Sequence, residues 1–215
     1  IRSGITAVSY QVLENNPNAL IVDVVTRTSE GSLKITRTFV FDPDDRFVRV
    51  TTELENEGAV DLQDIVFKSY ADWDMDGDFA DDSFAYDTVR HMIRASDATH
   101  AAIASNEIPT LMDIDGWGDY DQRETVVDIT APSITAYDGM PILHFELGTL
   151  APGTMTGVTT ALAAGMDPTQ LNDVVERALM IWISADPLTG TVAAGSSEEI
   201  TLTIDATDLV PGEYE

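Results

Sequence analysis

The sequence predicts an all-β protein: a large antiparallel β-sandwich carrying one helix, followed by a small second β unit. Three observations support this. Apolar and β-branched residues recur at a two-residue period in many short runs. Turn chemistry separates several of those runs. Only one stretch carries a sustained helical period.

The first runs are Ile5–Leu13, Ala19–Thr28 and Leu33–Phe41. The turn Asp42-Pro-Asp-Asp45 follows, then a run in which Val48, Val50, Thr52 and Leu54 alternate with Phe47, Arg49, Thr51 and Glu53. Asn56-Glu-Gly58 marks the next turn. Further β-rich runs lie at Leu62–Tyr70, Phe84–Ala95, Leu143–Leu147 and, after the turn Ala151-Pro-Gly153, at Met155–Ala163. The spacing then switches. Asp167 is an N-cap residue, Pro168 fits a first helical turn, and Gln170 stands at capping-box distance. Leu171, Val174, Val175 and Ala178 follow at i, i+3, i+4 and i+7, which predicts a helix from Pro168 to Leu179. Beyond Trp182 the composition changes, and Ile200, Leu202 and Ile204 alternate with Thr201, Thr203 and Asp205. A domain boundary is expected there, dividing the chain into residues 1–181 and 182–215.

The net charge of −27 argues against nucleic acid and anionic membrane surfaces as partners, because phosphate recognition needs clustered Lys and Arg. Lys34 and Lys68 are the only lysines. So large an acid excess suits a halophilic protein, whose self-repulsion is screened by salt. With no cysteine, disulfides, thiol catalysis and cysteine–zinc sites are excluded. No apolar run reaches the length of a bilayer-spanning helix. The chain begins at Ile1, with no signal peptide in view, and reads as a mature or excised extracellular segment.

Asp72, Asp74, Asp76, Asp78, Asp81 and Asp82 crowd into one short stretch around Gly77. Carboxylates this close repel unless a hard cation or solvent screens them, and an all-oxygen set in a loop suits calcium. The first half matches D-x-D-x-D-G. The second half does not: Ser83 stands where an EF-hand has its bidentate glutamate, and no amphipathic helices flank the loop. Two readings follow, a calcium loop between strands that is not an EF-hand, or a solvated acidic loop. A second cluster, Asp113, Asp115, Asp119 and Asp121 around Gly116 and Gly118, has the same two readings. Whether the clusters form one site or two is open at this level.

No catalytic motif stands out. His91, His100 and His144 are isolated, without HExxH spacing, and read as strand or loop histidines with ordinary hydrogen bonds. There is no G-x-S-x-G elbow. Paired carboxylates can hydrolyse glycosides, but with 38 acids some proximity is unavoidable in any fold. Trp73, Trp117 and Tyr120 either stack on sugar rings or anchor the acidic loops to the sandwich.

The segment after Trp182 resembles the immunoglobulin-like repeats of bacterial exoproteins. It has the Trp182 strand, the Pro187–Gly190 turn, the Ala194–Ser196 step, the alternating Ile200–Ile204 strand and the Pro211–Tyr214 ending. Upstream, Leu150-Ala-Pro-Gly153, the strand after it, Ala163-Ala-Gly-Met-Asp167 and Tyr70-Ala-Asp-Trp-Asp74 resemble a β-sandwich module of large secreted bacterial proteins, some with subtilase-type protease domains. The resemblance implies an accessory, non-catalytic sandwich followed by an incomplete immunoglobulin-like unit; no catalytic residue carries over. In such repeats a further strand follows the Pro-Gly-x-Tyr step, so an open sheet edge is expected. Three functions follow: a calcium-stabilised accessory module, a carbohydrate-binding or glycoside-active sandwich, and a filament or surface-layer subunit. The corresponding partners are other domains of the same exoprotein, a glycan, or further copies joined at the open edge.

Overall fold

The computed structural model describes residues 4–16, 20–41, 46–73, 82–116, 133–135, 139–179, 183–186, 192, 195, 197 and 199–204. Their strands are β1 (Ile5–Asn15), β2 (Leu20–Thr28), β3 (Leu33–Phe41), β4 (Phe47–Asn56), β5 (Leu62–Tyr70), β6 (Ser83–Asp87), β7 (Met92–Ser96), β8 (His100–Ser105), β9 (Leu111–Gly116), β10 (Ser133–Ile134), β11 (Gly139–Leu150), β12 (Met155–Gly165), β13 (Ile183–Asp186) and β14 (Thr201–Ile204). The one helix among them is α1, Pro168–Leu179.

A nine-stranded sheet runs in the order β1-β2-β3-β4-β12-β8-β7-β6-β10. A three-stranded sheet, β5-β11-β9, lies on one of its faces. All the strand pairs are antiparallel. The fold class is therefore the expected antiparallel sandwich. β13 and β14 pair in a two-stranded sheet of their own, and β13 is the only partner of β14 among the described residues.

Side-chain alternation sorts the core into two layers. In β8, Ile103 points toward the three-stranded sheet and joins Phe84, Ile93, Leu143, Phe145 and Val158, while Ala102 and Ala104 point to the opposite face and meet α1. β12 divides in the same way, with Val158 inward and Ala161 and Ala163 under the helix. Small residues let the helix approach closely. At Gly165 an added Cβ would lie 2.7 Å from the Leu171 backbone nitrogen.

The helix is built as expected. Asp167 Oδ1 accepts from the Thr169 and Gln170 amides, both at 2.9 Å. Gln170 differs slightly from a capping box: its Oε1 accepts from the Met166 amide, one residue before the cap. Leu171, Val174, Val175 and Ala178 are all buried. At the far end Arg49 of β4 donates to the Ala178 carbonyl at 3.4 Å, a favourable place for a cation.

Asn56, expected only as a turn residue, is fully buried. Its Nδ2 donates to the Val60 and Leu150 carbonyls at 2.8 Å each, and its Oδ1 accepts from the Gly58 amide at 2.9 Å. One side chain thus ties the β4–β5 turn to the end of β11, closing the two sheets on each other.

Candidate functional site

Strand register brings the two acidic runs to one end of the three-stranded sheet. Ile142, near the start of β11, pairs with Tyr70 on one side and Asp113 on the other. The chain leaves β5 just past Tyr70 toward Asp72, and leaves β9 past Gly116. The exits flank β11, two strand spacings apart and offset by three residues along it, about 14 Å in all. Both runs therefore leave the sheet at the same end, from its two opposite edge strands.

Their residues differ in environment. Asp72 is exposed. Asp82, which leads into β6, is 2% exposed, and Asp113 is 3% exposed. Asp113 and Asp115 lie on strand β9 and not in a turn, which corrects the expectation of a loop there. Asp113 Oδ1 accepts from the Ile114 amide at 2.8 Å. Asp74, Asp76, Asp78, Asp81, Asp119 and Asp121 lie outside the described residues, as do Trp117 and Tyr120. Among the described residues no group of three or more His, Asp or Glu side chains gathers to hold a metal.

Of two neighbours of this end, Tyr86 and Trp73, only Trp73 was singled out by sequence. Tyr86 of β6 has a buried hydroxyl with no hydrogen-bond partner among the described residues. Burial, and secondarily the Asp113 charge, push its phenol well above the ordinary tyrosine range, so it stays neutral. Trp73 packs against the core cluster of Phe84, Ile93 and Phe145, which makes it an anchor for the β5 exit.

Other carboxylates have structural partners. Glu107 Oε2 accepts from the Thr159 amide at 2.9 Å and the Ser105 hydroxyl at 3.1 Å, filling the place where β8 stops pairing with β12. Glu176 on α1 is bound to Arg90. The histidines depart from expectation in one respect: among the described residues the buried Nδ1 atoms of His100 and His144 have no hydrogen-bond partner. His144 is held below the ordinary histidine range by burial first and Lys68 second. His91 takes the left-handed backbone region, φ 46°, in the β6–β7 turn.

No protein-family model matches the chain, and no curated protein matches it. Solved structures do. A bacterial glucoamylase complexed with acarbose is similar at a TM-score of 0.56 and 14% identity, over 79% of this chain and 25% of the glucoamylase. A protein of Escherichia coli K12 assigned as an aldose 1-epimerase is similar at 0.47 and 11% identity, over 73% of this chain and 68% of that one. A GH36 alpha-galactosidase of Geobacillus stearothermophilus, in complex with stachyose, gives 0.42 and 7% identity over 82% and 29% of the two chains. The chain thus spans about a quarter of the glucoamylase's length. At 14% identity the likeness to the glucoamylase bears on the fold alone.

Proposed function

We propose that this chain is an accessory, non-catalytic β-sandwich domain of a larger, secreted, carbohydrate-acting protein. The observation that carries the reading is the likeness to a quarter of a glucoamylase, covering 79% of the present chain. The glucoamylase was complexed with acarbose, which supports a carbohydrate setting over the protease setting that sequence resemblance suggested. The bonds that occupy Glu107 and Glu176 favour an accessory role over catalysis. The immunoglobulin-like resemblance of residues 182–215, with β13 paired to β14, fits a multidomain exoprotein.

Calcium belongs to the same proposal. Asp72 and Asp113 lie on segments that reach one end of the three-stranded sheet, Asp82 leads into β6 of the nine-stranded sheet, and Asp82 and Asp113 are buried. Carboxylate oxygens match a hard divalent cation. The ion would supply charge and stiffness to this end of the domain.

The test is an assay of the longer natural protein and of this chain against a panel of oligosaccharides. The longer protein should transform at least one of them. This chain alone should release no product, and deleting it should lower the stability of the remainder. Turnover by this chain alone, or no activity of the longer protein on any carbohydrate, would sink the reading.

A further inference from the structure

The three-stranded sheet covers only part of the inner face of the nine-stranded one. Cross-strand pairs show where cover ends. Ile35 and Leu54 face each other and are buried under Leu150. On the same face, two and four residues along, exposed Arg37 pairs with Thr52, which is still buried, and Phe39 with Val50, so the cover ends between β4 and β3. Val22 and Val24 of β2 flank Phe39 and Arg37 from the other side, and Tyr10 of β1 follows Val24. Phe39 and Phe41 stack at 6.5 Å between ring centroids. None of Tyr10, Val22, Val24, Phe39 or Phe41 belongs to a core cluster, and Tyr10 is 77% exposed. Three strands and three rows of alternate residues span roughly 10 Å by 14 Å between backbone centres. That is the centre of a contact, since a stable interface buries about 800 Å² per partner.

Arg37 stands inside this apolar patch. It is exposed and meets no carboxylate among the described residues, in a chain with 38 acids. Its neighbours on the opposite face are paired instead: Arg27 binds Glu57 and Lys34 binds Glu55. An arginine and a tyrosine amid apolar residues is the composition of an interface centre, where a guanidinium takes a carboxylate from the partner. Valines beside stacked phenylalanines offer few polar groups to sugar hydroxyls, so the surface suits protein better than glycan. A second copy fits poorly: a face-to-face dimer brings like patches together, Arg37 near Arg37, between chains of net charge −27.

We propose that this uncovered part of the inner face docks another protein domain, one that lays an apolar surface on Phe39, Phe41 and Tyr10 and presents a carboxylate to Arg37. This rests on the reading of the chain as one domain of a larger protein, and its partner is the remainder of that protein.

Hydroxyl-radical footprinting of Tyr10, Phe39 and Phe41 tests it, comparing the longer natural protein with this chain, whose folding is checked by a cooperative melt. Labelling of Tyr10 and Phe41 should be at least threefold lower in the longer protein. Arg37→Glu in the longer protein should restore most of the labelling, and Arg37→Lys should restore less. Equal labelling in wild-type longer protein and this chain overturns the proposal, as does protection indifferent to Arg37→Glu. Protection of this chain alone by added oligosaccharide, or by its own dimerisation in sedimentation, also overturns it by naming a different occupant. A natural protein with no further domain overturns both this and the proposed function. Loss of carbohydrate activity with protection intact counts against the function alone.

Discussion

Arg90, in the β6–β7 turn, donates from Nε to Glu176 on α1 at 2.8 Å, and its Nη1 reaches Asp87 at 3.2 Å. Asp87 also accepts from the Val89 and Arg90 amides through Oδ1. The pair therefore joins a hairpin turn to the helix across the small-residue layer of β8 and β12. The Glu176 side chain is 7% exposed and that of Arg90 24%, so the carboxylate is the more deeply buried partner. Breaking a buried pair by removing one partner costs about 3–5 kcal/mol, and the partial exposure of Arg90 places this one near the lower end. Glu176→Ala should lower Tm by roughly 6–12 °C at about 2–4 °C per kcal/mol for a domain of this size. Glu176→Leu combined with Arg90→Leu should recover most of the loss, since two apolar groups leave no buried charge behind. Thermal melts of the single and double variants decide it.

Asn56 makes a sharper claim about polarity. Its buried amide donates to two carbonyls and accepts from one backbone N–H, the Leu150 bond inside the core and the other two in the half-buried turn. Asn56→Asp keeps the shape but turns the donor edge into a carboxylate facing the Val60 and Leu150 carbonyls. The charge is unpaired there, so the carboxyl's folded-state pKa is expected above that in the unfolded chain. Its cost should be greatest at neutral pH and shrink as pH falls toward 4, where the neutral acid regains one donor. Asn56→Ala should instead cost about 3 kcal/mol at every pH, at roughly 1 kcal/mol per lost bond. Urea unfolding of both variants at several pH values separates the two; parallel curves would mean the amide is not the hub the contacts describe.

Several elements were legible in the sequence, and the exceptions have physical causes. The helix announced itself through Asp167, Pro168 and a four-residue apolar stripe. β3 and β4 alternate because one face is apolar and the other polar, with pairs such as Lys34–Glu55 on the outside. β8 was missed because both its faces are buried, one under α1 and one under the three-stranded sheet, so the alternation of His100–Ser105 vanishes. β6 and β7 read as one run because their turn has no glycine or proline; Asp87 and the left-handed His91 make it instead. β9 was hidden by its own aspartates, which read as a loop. The limited reach of the three-stranded sheet was invisible for a different reason: Val22 and Val24 follow the same pattern as Ile35, and only tertiary packing distinguishes covered from uncovered positions.

His144 gives the fold a pH dependence of definite sign. Burial and Lys68 hold its folded-state pKa below the ordinary 6.5. Between those two values the unfolded chain binds the proton and the folded chain does not. Stability from the neutral imidazole is thus fully present above the unfolded pKa and is lost as pH falls through the folded value. The slope of unfolding free energy against pH should reach at most about 1.4 kcal/mol per unit from this residue. His144→Gln should remove that contribution while leaving the carboxylate-driven loss at lower pH. Denaturant titrations of wild type and variant from pH 7.5 to 4.5 measure it, and identical slopes in the two would exclude His144 as the source.

The acidic end of the three-stranded sheet yields the calcium prediction. Asp113 is buried there, Asp82 is buried where the chain enters β6, and the sequence adds Asp74, Asp76, Asp78 and Asp81 between Asp72 and Asp82. Mutual repulsion of these carboxylates favours the unfolded chain unless a cation is bound. A ligand that binds only the native state stabilises by RT ln(1 + [L]/Kd), about 2.7 kcal/mol at a hundredfold excess over Kd. Millimolar Ca²⁺ should therefore raise Tm by roughly 5–11 °C over chelator at constant ionic strength. Mg²⁺ should raise it less, because it prefers a tighter octahedral shell and keeps its waters. Asp74→Asn with Asp76→Asn should erase the calcium-specific increment, and Asp113→Asn should reduce it only if both acidic runs serve one ion. An equal Tm in Ca²⁺ and chelator would leave the cluster as a solvated face, with salt screening as its remaining source of stability.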